Sequence, residues 1–367
     1  MSDASYMRLA LRLAKKGFGA TSPNPMVGAV LVKAGKIIGR GWHHHAGLPH
    51  AEIEALQDAA MHGHSPRGAI LYVTLEPCST YGRTPPCTKA IISTGIKRVV
   101  IGATDPNPKH AGKGYKILRA AGIDVTHGIL ADECAKLNEA FNYWILRRTP
   151  LVTVKAGMTL DGKIATAGGE SRWITGEKAR ALAMKWRQGM DAILVGVNTV
   201  LADDPSLTFR PAKTQSPKLL RRIVLDSLAR TPLTAKVAGD EFAAMTTIVV
   251  GKQAPKNRAR ALAKKVNVVA APPAKTGIDL RWLLKKLGAE NVTSLLVEGG
   301  GEINASFLFE GLAQRVAFFY APKILGGDAR KAVAGDGVKN LSDALQLREV
   351  EWKKVGEDLL MTARVHQ

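Results

Sequence analysis

The chain has 367 residues, 46% of them hydrophobic, which is enough for two domains with sizeable cores. Its formal net charge of +21 favours anionic partners, from nucleic acids to phosphorylated metabolites. There is no run of 18 uncharged apolar residues and the first residues lack a signal-peptide pattern, so we expect neither a membrane span nor secretion. Three cysteines cannot all pair, which indicates a cytoplasmic setting rather than a disulfide framework.

The basic residues are spread along the chain and are not interleaved with aromatic ones. Clusters such as Arg221-Arg222 and Lys264-Lys265 are short, and aromatic residues make up only 5% of the chain. Proteins that bind single strands stack bases on aromatic side chains within a basic groove. We therefore expect a solvated basic surface that attracts anionic small molecules, and no nucleic-acid partner.

Helix-like and strand-like segments alternate through the first 150 residues. Pro150 stops the last helix of this series, because proline disfavours the helical conformation of the residue before it. We place the domain boundary there, with domains over 1–149 and 150–367. The predicted helices are 3–16, 50–60, 86–94, 113–121 and 131–146, and the predicted strands are 28–33, 37–41, 69–74, 98–102 and 123–127.

The second half predicts another α/β domain, with a largely parallel sheet and antiparallel additions near its C-terminal end. Stretches rich in Lys, Pro and Ala at 211–220 and 252–275 are typical of surface loops or short helices. The predicted strands are 151–157, 192–196, 222–226, 246–251, 266–270, 294–298, 315–321 and 358–365, and the helices are 176–188, 279–287 and 302–310.

The most specific motif joins a His-x-Glu segment, His50 and Glu52, to Cys78 and Cys87. One imidazole and two thiolates are good zinc ligands, and they leave a fourth position for water, whose pKa zinc lowers. Glu52, in the first turn of a predicted helix, can move a proton from that water to a leaving amine. This combination is the signature of zinc deaminases that act on nucleobases. We predict that His50, Cys78 and Cys87 bind zinc and that Glu52 is catalytic.

Eight residues separate Cys78 from Cys87, whereas the short deaminase signature has two. The insert contains Arg83, a cation that could line the substrate site. By residue type alone, the cysteines could instead be buried structural residues or part of a closed structural zinc site, although no fourth protein ligand is obvious. The run His43-His44-His45 could be a further metal tract, but polar turn residues near the pocket are the preferred interpretation.

The second half carries glycine-rich and polar segments where strands end and helices begin. Three glycines follow a strand at 299–301, and backbone N–H groups at such a helix start bind phosphate, although a tight turn would explain the triplet equally well. Polar segments at 160–163, 169–175 and 196–205 occupy comparable positions, where α/β enzymes gather ligands. Asp203-Asp204 is either a metal site or a helix terminus beside a ribose, and we prefer the second because no further carboxylates cluster nearby.

Four segments carry a resemblance to a known family: Thr21–Gly28, Gly47–Glu52, Thr74–Cys78 and Gly82–Cys87. Together they resemble the RibD family, the bifunctional pyrimidine deaminase/reductases of bacterial riboflavin biosynthesis, which share the eight-residue insert. The second half resembles the reductase part of the same family. The resemblance implies an N-terminal cytidine-deaminase-like α/β/α domain followed by a C-terminal dihydrofolate-reductase-like α/β domain.

The resemblance also implies two consecutive reactions and two cofactors, Zn²⁺ and NADPH. The first half would hydrolytically remove the 2-amino group of 2,5-diamino-6-(5-phosphoribosylamino)pyrimidin-4(3H)-one. The second half would use NADPH to reduce the ribosyl group of 5-amino-6-(5-phosphoribosylamino)uracil to a ribityl group, a hydride transfer that needs no strong acid from the protein. The expected partner is therefore a phosphorylated pyrimidine, and a homo-oligomer is the expectation that comes with the family.

By resemblance, Asn24 and Arg83 contact the deaminase substrate, although by residue type they are a turn residue and a loop charge. In the reductase half, Arg187 and Arg210 suit phosphate, which guanidinium groups bind in a bidentate way. Lys155 is unusual inside an apolar strand, which favours a substrate contact. The expected reductase substrate contacts are Lys155, Ser171, Arg187, Leu207, Arg210 and Glu298. The expected cofactor contacts are Gly157, Trp173, Thr199, Asp203, Ser227, Gly300, Gly301, Glu302, Ile303, Asn304, Ala305 and Ser306.

Two other functions stay open on the residues alone. A nucleotide- or tRNA-editing zinc deaminase with an accessory domain would explain the zinc motif and the positive charge, but it leaves the second half without a role. A nucleic-acid-binding protein with a structural zinc predicts that Glu52 has no part in catalysis.

Overall fold

The chain forms two compact units, Met1–Arg148 and Thr149–Gln367. Each unit has its own sheet and its own buried apolar residues. No described helix combines the length and the apolar character that a membrane span requires. The computed structural model describes residues 1–81, 85–209, 219–273 and 277–366.

The first unit is built on a mixed sheet with helices packed against it. Its strands are β1 (Gly28–Lys33), β2 (Lys36–Trp42), β3 (Ile70–Leu75), β4 (Arg98–Ala103) and β5 (Asp124–His127). They lie in the order β2-β1-β3-β4-β5, with β1 antiparallel to β2 and β3, and with β3, β4 and β5 parallel. The helices are α1 (Asp3–Ala14), α2 (Ala51–Met61), α3 (Cys87–Ser93), α4 (Lys113–Ala120), α5 (Ala131–Leu137) and α6 (Glu139–Arg147).

The first two strands form the predicted hairpin, and a glycine brings α2 close to it. Ala34 and Gly35 both have positive φ values, 47° and 76°, as a tight two-residue hairpin turn requires. Helix α2 packs on β2 and β1. A Cβ atom on Gly41 would lie 2.3 Å from the Ala51 carbonyl oxygen, so β2 approaches the first turn of α2 as only glycine allows. The start of α2 is thereby held against the sheet.

The single helix predicted over 131–146 is wrong, because the segment forms two helices, α5 and α6, that meet at Asn138. Asn138 is 5% exposed. Its side-chain oxygen accepts the Met26 backbone N–H at 2.7 Å, and its side-chain nitrogen donates to the Met26 carbonyl at 2.9 Å. The two residues are 112 positions apart, so the interruption leaves no local signal in the helical periodicity.

The second unit has a longer sheet and a short two-stranded ribbon. Its strands are β6 (Leu151–Thr159), β7 (Lys163–Ala165), β8 (Ala192–Gly196), β9 (Arg221–Leu225), β10 (Thr246–Val250), β11 (Asn267–Ala270), β12 (Ser294–Val297), β13 (Arg315–Ala321), β14 (Arg330–Lys331), β15 (Leu347–Val355) and β16 (Asp358–Val365). Its helices are α7 (Glu177–Gly189), α8 (Val197–Asp203), α9 (Lys236–Gly239), α10 (Lys256–Ala263), α11 (Leu280–Ala289) and α12 (Gly301–Phe309).

The strand order of the main sheet is β11-β10-β9-β8-β12-β6-β13-β16-β15. Neighbours from β11 to β13 are parallel, and β16 and β15 are antiparallel additions at one edge, which confirms the predicted arrangement. Because the carboxyl ends of parallel strands lie at one edge, the loops after β8, β9 and β12 come together there.

The edge strand β15 lies outside the predicted set. Seven successive residues between its two ends are exposed, and its sequence, LREVEWKKV, is mainly charged. A half-buried strand is recognised by alternating apolar residues, and this strand has no buried face to impose that pattern. Its existence follows from pairing with β16.

Candidate functional site

Three elements of the first unit converge on a candidate metal site. His50 directly precedes α2, Cys78 lies three residues after β3, and Cys87 is the first residue of α3. His50 Nδ1 is 3.3 Å from Cys87 Sγ and 3.6 Å from Cys78 Sγ, and the three candidate ligand atoms lie within 4.8 Å of one another. Tetrahedral zinc, with bonds of about 2.1 Å to nitrogen and about 2.3 Å to sulfur, sets its nitrogen and sulfur ligands about 3.6 Å apart. The three residues therefore fit zinc.

The sulfur atom of Cys78 is prepared to carry negative charge. Hydrogen bonding from the Cys87 thiol is the main cause that lowers the pKa of Cys78, to about 4, against the opposing effect of burial. The Cys87 backbone N–H also donates to this sulfur at 3.3 Å, and the His50 ring lies beside it. The thiolate is the form of cysteine that ligates a metal, so Cys78 is prepared for metal binding. The hydrogen bond to Cys78, together with burial, raises the pKa of Cys87, so this second thiol has to lose its proton when a metal binds.

Glu52 lies in the first turn of α2 and is only 3% exposed. Burial raises the pKa of this carboxyl to about 6, although the neighbouring His50 ring acts in the opposite direction. Glu52 also interacts with Cys87, which places it beside the candidate ligands. A carboxyl that titrates near neutral pH can both accept and release a proton, as a group that shuttles protons in a deamination must.

Asn24, an expected substrate contact, is held by a buried histidine. His43 Nδ1 is 3.0 Å from the Pro49 carbonyl, and His43 Nε2 is 3.1 Å from Asn24 Nδ2. A carbonyl can only accept, so Nδ1 carries the ring proton and Nε2 accepts from the Asn24 amide. Burial lowers the pKa of His43, which favours this neutral ring. His43, 2% exposed, is therefore a positioning residue that the turn interpretation of His43-His44-His45 misses.

Glu76 is a second positioning residue that sequence reasoning misses. It directly follows β3 and is 4% exposed. Its carboxylate accepts the backbone N–H groups of Asp105, Gly112 and Gly114 at 3.2, 3.0 and 2.9 Å. These bonds fix the segment that carries Cys78 to the loop after β4. An acidic residue at the end of an apolar strand was the available signal.

The second unit holds a cavity of about 880 Å³ at the carboxyl ends of β8, β9 and β12. This is a common size for a cofactor site. Ser171, expected at the substrate, lines it. The expected cofactor contacts that line it are Thr199, Asp203, Ser227, Gly300, Gly301, Glu302, Ile303 and Ser306.

Four expected cofactor contacts are not among the described lining residues of this cavity. Asn304 and Ala305 are buried in the unit, at 0% and 5% exposure. Trp173 is 64% exposed. Gly157 lies in β6, where an added Cβ would meet the Thr175 side chain at 3.2 Å. The Asn304 side chain donates to the Ala332 carbonyl at 2.8 Å, so it holds a neighbouring segment of the chain.

The start of α12 gives the cavity an anion-binding character. Gly301 begins the helix, and a Cβ there would lie 2.4 Å from the Lys331 carbonyl oxygen, so glycine allows another segment to cross closely. Backbone N–H groups at a helix start bind phosphate. Arg230, Arg330 and Lys331, which were not among the predicted residues, also line the cavity. Size, helix start and charge together fit a phosphorylated dinucleotide such as NADPH.

Three of the expected substrate contacts form one cluster in the second unit. Arg187 donates two hydrogen bonds, 2.9 and 3.1 Å long, to the Glu298 carboxylate, and Lys155 Nζ lies 3.7 Å from the same carboxylate. Burial alone would raise the pKa of Glu298, but the Arg187 and Lys155 charges outweigh it and lower that pKa to about 2. Arg187 therefore already has an anionic partner, with which a substrate phosphate would have to share it.

The remaining expected contacts, together with Asp204, differ in their partners and in their exposure. The Ser171 hydroxyl donates to the Asp203 carboxylate at 2.9 Å, whereas Asp204 accepts the Lys236 backbone N–H at 2.8 Å. These two carboxylates therefore have different partners. Leu207 is 3% exposed and packs in an apolar cluster, so only its backbone is available to a ligand. Arg83 and Arg210 lie outside the described residues.

Two family descriptions match the chain. The RibD C-terminal domain matches residues 150–361, and the cytidine and deoxycytidylate deaminase zinc-binding region matches residues 1–103. The Riboflavin biosynthesis protein RibD of Aquifex aeolicus is 46% identical, over 98% of this chain and 97% of its own length. The protein of the same name from Escherichia coli is 41% identical, over 98% and 99%.

Solved structures agree over the whole length. RibD of Acinetobacter baumannii, form 1, superposes with a TM-score of 0.88 at 36% identity and covers 100% of this chain and 99% of its own. A diaminohydroxyphosphoribosylaminopyrimidine deaminase/5-amino-6-(5-phosphoribosylamino)uracil reductase from Thermotoga maritima superposes with a TM-score of 0.84 at 36% identity and covers 99% of both chains. The expected deaminase-like and reductase folds are thereby confirmed.

Proposed function

Since this chain belongs to the RibD family of bifunctional deaminase/reductases of riboflavin biosynthesis, we propose which of its residues carry each reaction and on which substrates. The Thermotoga maritima relative is named for a diaminohydroxyphosphoribosylaminopyrimidine and a phosphoribosylaminouracil. We assign the same two substrates to this chain. The proposal depends most on one observation, the convergence of His50, Cys78 and Cys87 beside the buried Glu52. The editing-deaminase alternative is not favoured, because the second half matches a reductase domain.

In the deaminase reaction, His50, Cys78 and Cys87 would hold zinc. Bound zinc supplies the Lewis acidity that makes a water molecule nucleophilic at neutral pH. Glu52 would take one proton from the attacking water and give it to the ring nitrogen, and would then move the second proton of the same oxygen to the departing amine, so that ammonia leaves as the C=O bond forms. Its position beside Cys87 and its raised pKa suit both transfers. The Asn24 side-chain nitrogen donates to His43, and we assign the Asn24 side-chain oxygen the role of accepting from the substrate.

In the reductase reaction, the cavity of the second unit would hold NADPH, which supplies the hydride. The start of α12, at Gly300 and Gly301, would hold the cofactor phosphates, and Thr199, Asp203 and Ser227, which also line the cavity, would bind its other polar groups. Lys155, Arg187 and Glu298 orient the phosphoribosylamino group of the substrate. Orientation of the two reactants is the main task of the protein here. We also propose that the deaminase domain is 1–149 and the reductase domain 150–367, which the division into two compact units supports.

We further propose that the protein is a homo-oligomer that pairs through β15. Among the described residues β15 pairs with β16 alone, and Trp352 is 59% exposed on it. In an antiparallel pairing of two copies about Trp352, Glu351 would lie opposite Lys353 of the second copy, so the charges complement each other. Sedimentation of the wild type and of Trp352→Lys tests this: a monomeric wild type would contradict it, and dissociation of the variant would support it.

The same chemistry suggests the setting of the enzyme. Its partner would be a phosphorylated small molecule rather than nucleic acid or a membrane, because phosphate-binding groups lie inside a cavity. The cysteines Cys78, Cys87 and Cys134 are free thiols, which supports a reducing, cytoplasmic location.

A two-step assay tests the proposed function. Purified zinc-loaded protein is given the diaminopyrimidine phosphate, first alone and then with NADPH. Ammonia release in the first step and NADPH oxidation in the second are expected. Ammonia release without NADPH oxidation would contradict the reductase assignment, and inosine formation in RNA at a comparable rate would contradict the substrate.

A further inference from the structure

Arg222 is the largest completely buried side chain in the described part of the chain, and its hydrogen-bond partners, Thr246, Ser206, Asp240 and Val237, are not among the expected ligand contacts. It lies in β9, and its guanidinium has five N–H donors. Every donor has an acceptor. Nε donates to Thr246 Oγ1 at 2.8 Å, Nη1 to the Ser206 carbonyl at 2.9 Å and to Asp240 at 2.6 Å, and Nη2 to the Val237 carbonyl at 3.2 Å and to Asp240 at 2.7 Å.

A buried guanidinium with an acceptor for every donor is more than the stability of the fold requires. A buried ion pair is often no more stabilising than well-packed apolar residues, because both charges lose their hydration. A guanidinium whose N–H groups are all hydrogen-bonded fixes the positions of its acceptors, because the planar group can reach all of them in only one arrangement. Four segments of the second unit are therefore fixed relative to one another at this point.

One of those segments is 204–209, which contains the Leu207 expected at the substrate. It is held at three points along its length. The Asp204 carboxylate accepts the Lys236 backbone N–H at 2.8 Å, the Ser206 carbonyl accepts from Arg222, and the Thr208 carbonyl accepts from Arg187 Nη1 at 3.1 Å. The third bond joins the segment to the Arg187 side chain that grips Glu298.

The backbone of this segment needs such restraint. Asp204 and Leu207 have φ values of 41° and 51°, in the left-handed region that residues with a Cβ rarely adopt. Left-handed conformations of non-glycine residues persist only when the surroundings impose them. Arg222 acts on the left-handed conformation of Leu207 through the Ser206 carbonyl, which directly precedes Leu207 and accepts from the guanidinium.

We infer that Arg222 is a positioning residue for the reductase substrate. Through the Ser206 carbonyl it keeps Leu207 in its conformation and the Thr208 carbonyl against Arg187, and so it sets the orientation of the Arg187–Glu298 pair. The inference rests on the proposed function, in which that pair meets the phosphoribosylaminouracil. Arg222 itself would contact neither substrate nor cofactor.

The test compares KM and kcat in the full-length enzyme. Arg222→Lys keeps the charge but cannot reach all the acceptors, so we expect the KM for the phosphoribosylaminouracil to rise about tenfold or more, with kcat changed by less than about threefold. The KM for NADPH and ammonia release by the same preparation should stay within about twofold of the wild type. Amide hydrogen exchange over 206–209 should become faster.

If Arg222 had a purely structural role, its substitution would lower the stability of the protein without a selective rise in the KM for the phosphoribosylaminouracil. The matched control is Leu287→Ala in α11, which is 1% exposed and packs in a different apolar cluster from Leu207. It should lower the melting temperature and leave the KM for the substrate unchanged. If Arg222→Lys does not fold, Thr246→Val carries the test. It keeps the side-chain shape but removes the acceptor of Arg222 Nε and the hydroxyl bond to the Val237 carbonyl, and the KM should rise about threefold.

The same measurements distinguish a failure of the proposed function from a failure of the positioning role of Arg222. Wild-type protein that fails to oxidise NADPH with the substrate would contradict the proposed function. Wild-type activity with an unchanged KM in the folded Arg222 or Thr246 variant, or an equal rise in the Leu287 control, would overturn the positioning role alone.

Discussion

Two glutamates of this chain show how neighbours decide what a buried carboxyl does. Burial raises the pKa of Glu52 to about 6, because the His50 ring only partly offsets the loss of hydration. Glu298 is largely buried, with 13% of its side chain exposed, but Arg187 and Lys155 outweigh this burial and lower its pKa to about 2. The first carboxyl can therefore exchange protons near neutral pH, whereas the second keeps its charge and orients other groups.

Removing the carboxyl charge of Glu52 should separate the two reactions. We expect Glu52→Gln to lower ammonia release by about 10² to 10⁴, the usual contribution of a general acid or base. Zinc content and NADPH oxidation with the deaminated substrate should stay at wild-type values, because the metal ligands and the second unit are unchanged. Elemental analysis and the two-step assay measure these quantities.

Glu54→Gln on the same helix is the control for Glu52. Glu54 lies near His44, at 3.7 Å, rather than at the candidate metal ligands. Its substitution should leave ammonia release near the wild-type rate. Full deaminase activity in Glu52→Gln would show that another group moves the protons.

Glu298 should make the second unit sensitive to acid. Because its folded pKa is lowered from 4.5 to about 2, its stabilising contribution is complete above the ordinary value and is lost as the pH falls towards 2. The shift corresponds to about 3 kcal/mol. The excess stability of the wild type over Glu298→Gln should therefore shrink between about pH 5 and about pH 3. Hydrogen exchange of amides in β6 and β12 measures it for this unit alone.

Glu357→Gln, at an exposed position, is the control for the pH series. Its difference from the wild type should stay nearly constant over the same range. A Glu298→Gln difference that is equally constant would contradict the ion-pair account of this residue.

At the scale of the elements, close approach of backbone places the reactive side chains. Gly41 lets β2 lie against the first turn of α2, and Gly301 lets the chain near Lys331 cross the start of α12. In both places a helix start that carries functional groups is packed against another segment without an intervening side chain. Such contacts tolerate no Cβ, because backbone atoms cannot rotate away as a side chain can.

Gly41→Ala should therefore damage the deaminase site from a distance. The added Cβ would lie 2.3 Å from the Ala51 carbonyl oxygen, so the start of α2, with His50 and Glu52, must move. We expect a loss of ammonia release of about tenfold or more and a lower zinc content, since small displacements of reacting groups are costly. NADPH oxidation should be unaffected.

Gly239→Ala provides the same chemical change where the space is open, with the nearest atom 4.0 Å from the added Cβ. It should behave as the wild type in both assays. Normal zinc content and deaminase activity in Gly41→Ala would show that α2 is less tightly held than the structure implies.

At the scale of the whole molecule, the chain distributes its two chemistries over two compact units. The candidate zinc ligands all lie within Met1–Arg148, and the large cavity lies within Thr149–Gln367. Among the described residues, His50, Cys78 and Cys87 form the one cluster suited to a metal. The candidate zinc ligands and the cavity therefore belong to different units.

Removal of zinc with a chelator should therefore abolish the deaminase activity and leave the reductase activity intact. Zinc removal is expected to abolish ammonia release and to leave NADPH oxidation with the deaminated substrate at its original rate. Acidification should release zinc as well, because its ligands must be deprotonated cysteines and a neutral histidine. Re-adding zinc at neutral pH should restore ammonia release. Parallel loss of both activities on chelation would contradict this independence.

The amino-acid sequence alone determined the chemistry and most elements of this protein. His50, Glu52, Cys78 and Cys87 are recognisable because metal ligation and proton transfer require particular residue types near helix starts. Buried strands such as β8 and β12 are recognisable because burial requires apolar side chains.

Only the tertiary structure decided which polar side chains tie separate segments of the chain together. Glu76, Asn138 and Arg222 bond backbone groups that are remote in the sequence, as in the bond from Asn138 to Met26. Any residue can offer a backbone carbonyl or N–H, so such a partner leaves no pattern in the sequence. The edge strand β15 and the close contacts of Gly41 depend in the same way on what the fold places beside them.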